Sequence, residues 1–155
     1  MILDLQNLCS DAQAVTATAV STNAIDLWGA AAIATVPGPA GTTGVTSSVI
    51  NDVGRGETIE AFCQVGTANF TGGTSMQAQL ITSAAAALTG PTVLSETAVI
   101  ALAALVAGYQ FRFGTIPQGV AQRYLGFNYI VVGTMATGTI TAGFVLDRQT
   151  NPFVG

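Results

Sequence analysis

The sequence contains no lysine and no histidine, and its only basic residues are Arg55, Arg112, Arg123 and Arg148. A chain so poor in cations has almost nothing with which to neutralise phosphates, so nucleic acid is not expected as a partner. Missing histidine removes both the commonest proton-transfer group at neutral pH and the commonest metal ligand. Charge of either sign is scarce: charged residues are 8% of the chain, against about 25% in ordinary soluble domains. The four arginines face eight acids, for a net charge of −4. Long hydrophobic runs are also absent. Hydrophobic residues make up 50% of the chain and the mean hydropathy is +0.56. Even so, the longest apolar run, Ala98–Gly108, falls well short of the roughly 20 residues a spanning helix needs. The apolarity is therefore assigned to protein contact, and no membrane partner is expected.

Other signatures of chemistry fail on spacing. Glu57 and Glu60 lie on opposite faces of a strand, so they do not form the paired carboxylates of a hydrolase. Asp4, Asp11 and Asp26 do not sit at calcium-loop spacing, and there is no Cys/His set for zinc. "GRGE" at residues 54–57 lacks the ending of a phosphate loop and reads as a turn into a strand. No Gly-x-Ser-x-Gly elbow is present, and any serine nucleophile would lack a histidine base. "NFT" at residues 69–71 has the form of a glycosylation acceptor, but "MILDLQNL" has no basic n-region, so it reads as a turn. Cys9 and Cys63 allow one pairing; the plainer reading is two buried small hydrophobes. No catalysis, metal or cofactor is expected.

What is present is strand chemistry. "GYQFRFG", "SMQAQLIT" and "TITAGFVLD" alternate apolar and polar residues with the period of two that separates the faces of a sheet. Arg112, between Phe111 and Phe113, is expected to pair within the sheet. Further strands are expected at "AVTATAV" (Ala14–Val20) and "TIEAFCQV" (Thr58–Val65), and a central one at "RYLGFNYIVV" (Arg123–Val132). "AVIALAALV" suits a helix or a buried strand, and strand is preferred; "SAAAAL" (Ser83–Leu88) favours one helical turn. The turn signals "TGGT", "TGPT", "PQG" and "GTMATG" recur at intervals suited to an all-β sandwich. The region from Gly29 to Glu57 is rich in Gly, Pro, Ser and Thr and reads as one long loop excursion. The expected organisation is a single domain over 1–155, with the excursion at 29–54 and terminal arms at 1–8 and 149–155.

Five strings in order then carry a resemblance: "CSDAQAVTATAVSTNAIDL" from Cys9, "NDVGRGETIE" from Asn51, "LVAGYQFRF" from Leu105, "RYLGFNY" from Arg123 and "AGFVLDRQTN" from Ala142. Together they resemble the small capsid cement, or decoration, proteins of tailed bacteriophages of the Bordetella-phage type, over most of the chain. The resemblance implies a jelly-roll-like antiparallel β-sandwich. It also implies a homo-oligomer, dimer or trimer, on the exterior of the capsid in the virion, made in the host cytoplasm. There it would cross-link major capsid proteins. One departure stands out: roughly twenty residues are inserted between Trp28 and Asn51.

On this reading the contact residues are Ile2, Leu3, Leu5 and Phe153 in the arms, Trp28, Ile33 and Val36 in the excursion, and Arg55 and Arg148 near loop ends. The apolar side chains supply more area than a solvated loop needs. The arginines offer bidentate contacts to carboxylates or backbone carbonyls. Asp147 and Arg148 would fix the exit of the C-terminal tail rather than perform chemistry. The alternative is a carbohydrate-binding β-sandwich on the virion surface, with Trp28, Tyr109, Tyr124 and Tyr129 as stacking platforms.

Overall fold

Alternating side chains leave one face of each strand to be covered, and two such faces meet in the interior of this protein. The computed structural model describes residues 7–27, 60–113 and 122–145. Within them lie twelve strands: β1 (Leu8–Ala14), β2 (Ala19–Val20), β3 (Ile25–Asp26), β4 (Glu60–Val65), β5 (Thr71–Gly72), β6 (Ser75–Ser83), β7 (Thr92–Glu96), β8 (Ile100–Ala101), β9 (Gln110–Phe111), β10 (Tyr124–Val132), β11 (Met135–Thr137) and β12 (Thr139–Val145). A 3-10 turn, Leu102–Ala104, follows β8.

All pairings are antiparallel. One sheet has the order β1-β12-β4-β9; the other has the order β2-β10-β6-β7, with β3 also on β10 and β8 also on β6. β5 and β11 form a small separate ribbon. Because β2 and β3 lie on the same side of β10, and β7 and β8 on the same side of β6, each couple acts as one interrupted strand. The chain then behaves as a long antiparallel ribbon, β1 against β12, β2–β3 against β10, β4 against β9 and β6 against β7–β8, rolled so that alternate segments fall in opposite sheets. That is the jelly roll, and it bears out the expected all-β sandwich.

The core follows from strand phase. Cys63 and Val65 of β4, Phe111 of β9 and Ile140, Ala142 and Phe144 of β12 face Met76, Ala78 and Leu80 of β6 and Leu125, Phe127 and Tyr129 of β10 in one buried cluster. Phe127 and Phe144 meet across the sheets with ring centroids 5.5 Å apart. β10 is central, as its sequence suggested, and pairs with β6 along its full length from Tyr124–Ser83 to Val132–Ser75. On the outer face of this sheet a polar ladder crosses three strands: Asn128 donates to Gln79, and Gln79 donates to Glu96. Gly126 is required there, because a Cβ at this position would run into Leu88 and Ser21, which pack over the strand.

Cys9 and Cys63 are both buried and free. They lie on β1 and β4, which flank β12, so two strand spacings, roughly 9.5 Å, separate the backbones, beyond the reach of a disulfide.

Four expectations are corrected. "AVTATAV" is not a strand: β1 ends at Ala14, and Val15–Thr18 crosses from one sheet to the other before β2. Its alternation serves the crossing: Val15 is buried in the core, the Thr18 hydroxyl accepts the Val131 amide, and the Thr16 carbonyl accepts the Met135 amide. "SAAAAL" is a turn rather than a helical one. The Ser83 hydroxyl accepts the Ala85 amide and donates to the Thr89 carbonyl, and this local alternative outcompetes a short helix. "AVIALAALV" is strand only at β8 and then turns. "GTMATG" contains β11. β7, "TVLSE", carries no clear alternation because a register shift opposite Leu80 and Ile81 interrupts its pairing.

Two substitutions test this account. Tyr129 is fully buried, and its hydroxyl makes a 2.8 Å bond to Ser10 Oγ. Tyr129→Phe is expected to cost about 1–2 kcal/mol, read as a lower urea midpoint with an unchanged m-value. Ala12 sits at φ 45° within β1, where glycine is at ease. Ala12→Gly should raise stability by about 0.5–1 kcal/mol, and a lower midpoint would show that β1 is not held in this conformation.

Candidate functional site

Ser10, Gln13 and Tyr129 form one connected set of polar groups. Ser10 Oγ donates to Gln13 Oε1 at 2.7 Å, so its single proton is used there and the Tyr129 phenol must be the donor in their shared bond. Gln13 Oε1 also accepts the Thr22 amide, and its Nε2 donates to the Val20 carbonyl. Burial raises the Tyr129 phenol well above its ordinary pKa, and the neighbouring Cys63 thiol adds to the shift. Burial also pushes the Cys9 thiol up to about 12 and that of Cys63 upward too. These groups stay protonated at neutral pH. A nucleophilic cysteine needs the opposite environment, accessible and electropositive.

A second polar constellation lies where the chain leaves β3. Arg123 grips Asp26 through two parallel bonds, Nε to Oδ1 at 2.9 Å and Nη2 to Oδ2 at 2.7 Å. Its guanidinium carbon sits 5.0 Å from the centre of the Tyr124 ring. The bonded Asp26 carboxylate raises the Arg123 pKa further, so the cation is permanent. Leu27 N donates to the Arg123 carbonyl beside it, so the pair clamps the end of β3 against the start of β10. Its role is structural.

An open cleft of about 480 Å³ lies on the outer face of the four-stranded sheet, lined by Phe62, Gln64, Gly66, Thr67, Gly108 and Thr141 among others. The lining is uncharged, and Phe62 is only 1% exposed, so its ring offers no platform. Among the described residues no group of His, Cys, Asp and Glu side chains is arranged to hold a metal ion.

The surface is more informative than the cavities. From Ala98 to Ala107 the chain is wholly apolar, yet only Leu105 is buried, and Ile100 and Leu102 are partly covered. Val99 is 62% exposed and Val106 45%; on the strands, Val93 is 45% and Val132 53% exposed. The sequence showed this run as the longest apolar stretch, but its alternatives were helix and buried strand. Exposure could not be read from it, because a buried and an exposed apolar run have the same composition.

The contact residues expected from sequence, Ile2, Leu3, Leu5, Trp28, Ile33, Val36, Arg55, Arg148 and Phe153, all lie outside the described residues, as do Glu57 and Asp147. Arg112 is exposed beside β9. Of the stacking platforms proposed for a glycan, Tyr129 is corrected: its ring is in the core. Tyr109 packs edge-on against Phe111, with centroids 5.3 Å apart, and Tyr124 carries Arg123 on its face.

Comparison with known proteins returns one family: the model described as Bbp16 matches residues 9–146. No curated protein matches the chain.

The buried thiols and phenol set an alkaline limit on stability. Their folded pKa values are raised, so the stabilisation they bring is complete below the unfolded values, near pH 9 for thiols and pH 10 for the phenol. Above about pH 9 the unfolded chain releases protons that the fold retains, and stability falls by up to about 1.4 kcal/mol per pH unit for each ionising group. Thermal melts should therefore be flat between about pH 7 and 8 and drop steadily above 9; a flat profile to pH 11 would contradict the burial of these groups.

Proposed function

Because the chain belongs to the Bbp16 family, a family of Bordetella phage proteins, we propose that it is a structural virion protein. In this reading it binds the outside of the phage head and stabilises the capsid by cross-linking major capsid proteins, as a homo-oligomer. The observation that carries the reading is the family match across residues 9–146, which spans both sheets of the jelly roll. The surface supports it. Exposed valines and the apolar run Ala98–Ala107 offer protein contacts, whereas the buried thiols and phenol offer no reactive group. The role requires no catalysis, cofactor or metal. A carbohydrate-binding module on the virion surface is less well supported, since Tyr129 is unavailable for stacking.

The test is made on virions. Purified particles should contain the protein in high copy, labelled by antibody on intact heads. Heads stripped of it should release DNA at a lower temperature, and adding the purified protein back should restore the original one. Absence from purified particles, or labelling only after heads are broken, would overturn the proposal.

A further inference from the structure

Charge is so scarce that each ionised group can be followed. The described residues include six: Asp11, Asp26, Glu60, Glu96, Arg112 and Arg123. Asp26 and Arg123 hold each other, Glu96 accepts a bond from Gln79, and Glu60 also has a partner. Asp11 and Arg112 are left: both are exposed, and neither side chain forms a hydrogen bond or ion pair within the chain. They are opposite in sign and stand at opposite edges of one sheet, Asp11 on β1 and Arg112 directly after β9. Three strand spacings, roughly 14 Å, keep them apart within one copy.

Their heights along the strands match. Asp11 lies between the pairs Ser10–Ala142 and Gln13–Ile140, level with Thr141; Thr141 pairs with Gln64, and Gln64 with Gln110, two residues from Arg112. Because neighbouring strands are antiparallel, Asp11 to Ala14 and Arg112 back to Val106 climb toward the same end of the sheet. At that end both edges are apolar. Ala12 and Ala14 are exposed on β1, and Val106 and Ala107 are exposed before β9, in a turn held to Val65 and Gly66 by the Gly108 amide. The two register shifts of β1 and the two-residue length of β9 blunt both edges against strand addition, so a contact there is made by side chains.

We propose that the β1 edge of one copy packs beside the β9 edge of the next, with Asp11 paired to the partner's Arg112. A second copy is the partner that carries the complementary charge at the matching height. Set side by side with the same end of the sheet upward, the two copies also bring Ala14 against the partner's Val106 and Ala107. The long arginine side chain spans the two-residue offset, roughly 7 Å, and its fork fits a carboxylate. An exposed ion pair contributes little affinity; it selects which edges meet and at what height, while the apolar side chains supply buried area. Each copy offers one edge of each kind, so the contact is head-to-tail and closes as a ring of three or more copies. This inference rests on the self-association in the proposed function and adds the contact and its symmetry, and it is tested separately from the head.

Sedimentation of the full chain at micromolar concentrations reads the association directly and should show at least three copies. Arg112→Asp or Asp11→Arg sets like charges against each other and should raise the dissociation constant more than about tenfold. Both changes in one chain exchange the match and should restore it. An equimolar mixture of the two single variants should associate although neither does alone, which a role within one chain does not allow. Val106→Lys should weaken the ring, whereas Val132→Lys, comparably exposed but on the other sheet, should not; thermal melts confirm that each variant folds. A monomer or a two-fold dimer at all concentrations, or a ring indifferent to the charge reversals, overturns the proposal. So does loss of head binding in these variants without any change in sedimentation, which would assign the two charges to a capsid contact. A ring that responds as expected but does not bind heads would support the edge contact and reject the capsid role.

Discussion

The Tyr129 phenol reaches from the central strand of one sheet to the edge strand of the other, and its hydrogen bond to Ser10 is the interaction around which the sandwich is arranged. β1 needs such a tie. Its ladder with β12 is interrupted twice, and Ala12 within it has a left-handed backbone, so strand pairing alone holds it loosely. Ser10 passes the constraint to Gln13, and Gln13 holds the backbone at Val20 and Thr22 on the far side of the crossing. One chain of bonds, buried at Tyr129 and Ser10 and reaching the surface at Thr22, thus ties both sheets and the connection between them. With every member satisfied, it stabilises the interior; a broken link would leave a buried polar group without a partner.

The rolled ribbon also explains the distribution of apolar surface. Each strand faces the core on one side only, and the core is filled by aromatic and branched side chains from β4, β6, β10 and β12. Among the described residues, the large apolar side chains that this interior does not take up stand exposed on β7 and β10 and on the run after β7.

Strands whose alternation runs unbroken were legible from sequence: β6, β10 and β12 are where "SMQAQLIT", "RYLGFNYIVV" and "TITAGFVLD" place them. Those that the sequence obscured share a physical cause. In β1 the bulges shift the phase, so "LCSDAQA" does not alternate. In β7 a bulge does the same. Conversely, "AVTATAV" alternates without forming a ladder, because Val15 is drawn into the core while threonine hydroxyls replace strand partners. Alanine-rich "SAAAAL" has helical propensity, but a serine at its start and Leu88 folded over Gly126 make a turn instead.

By itself the sequence determined the fold class, the poverty of reactive groups and the family, because composition, period-two patterning and ordered motifs survive in a linear string. Only the tertiary structure decided which cysteines and tyrosines are enclosed, and that Cys9 and Cys63 are held apart by β12. Those properties depend on strand order and on pairing between distant segments, such as Ser10 with Tyr129, and no local window of sequence encodes which strand will lie beside which.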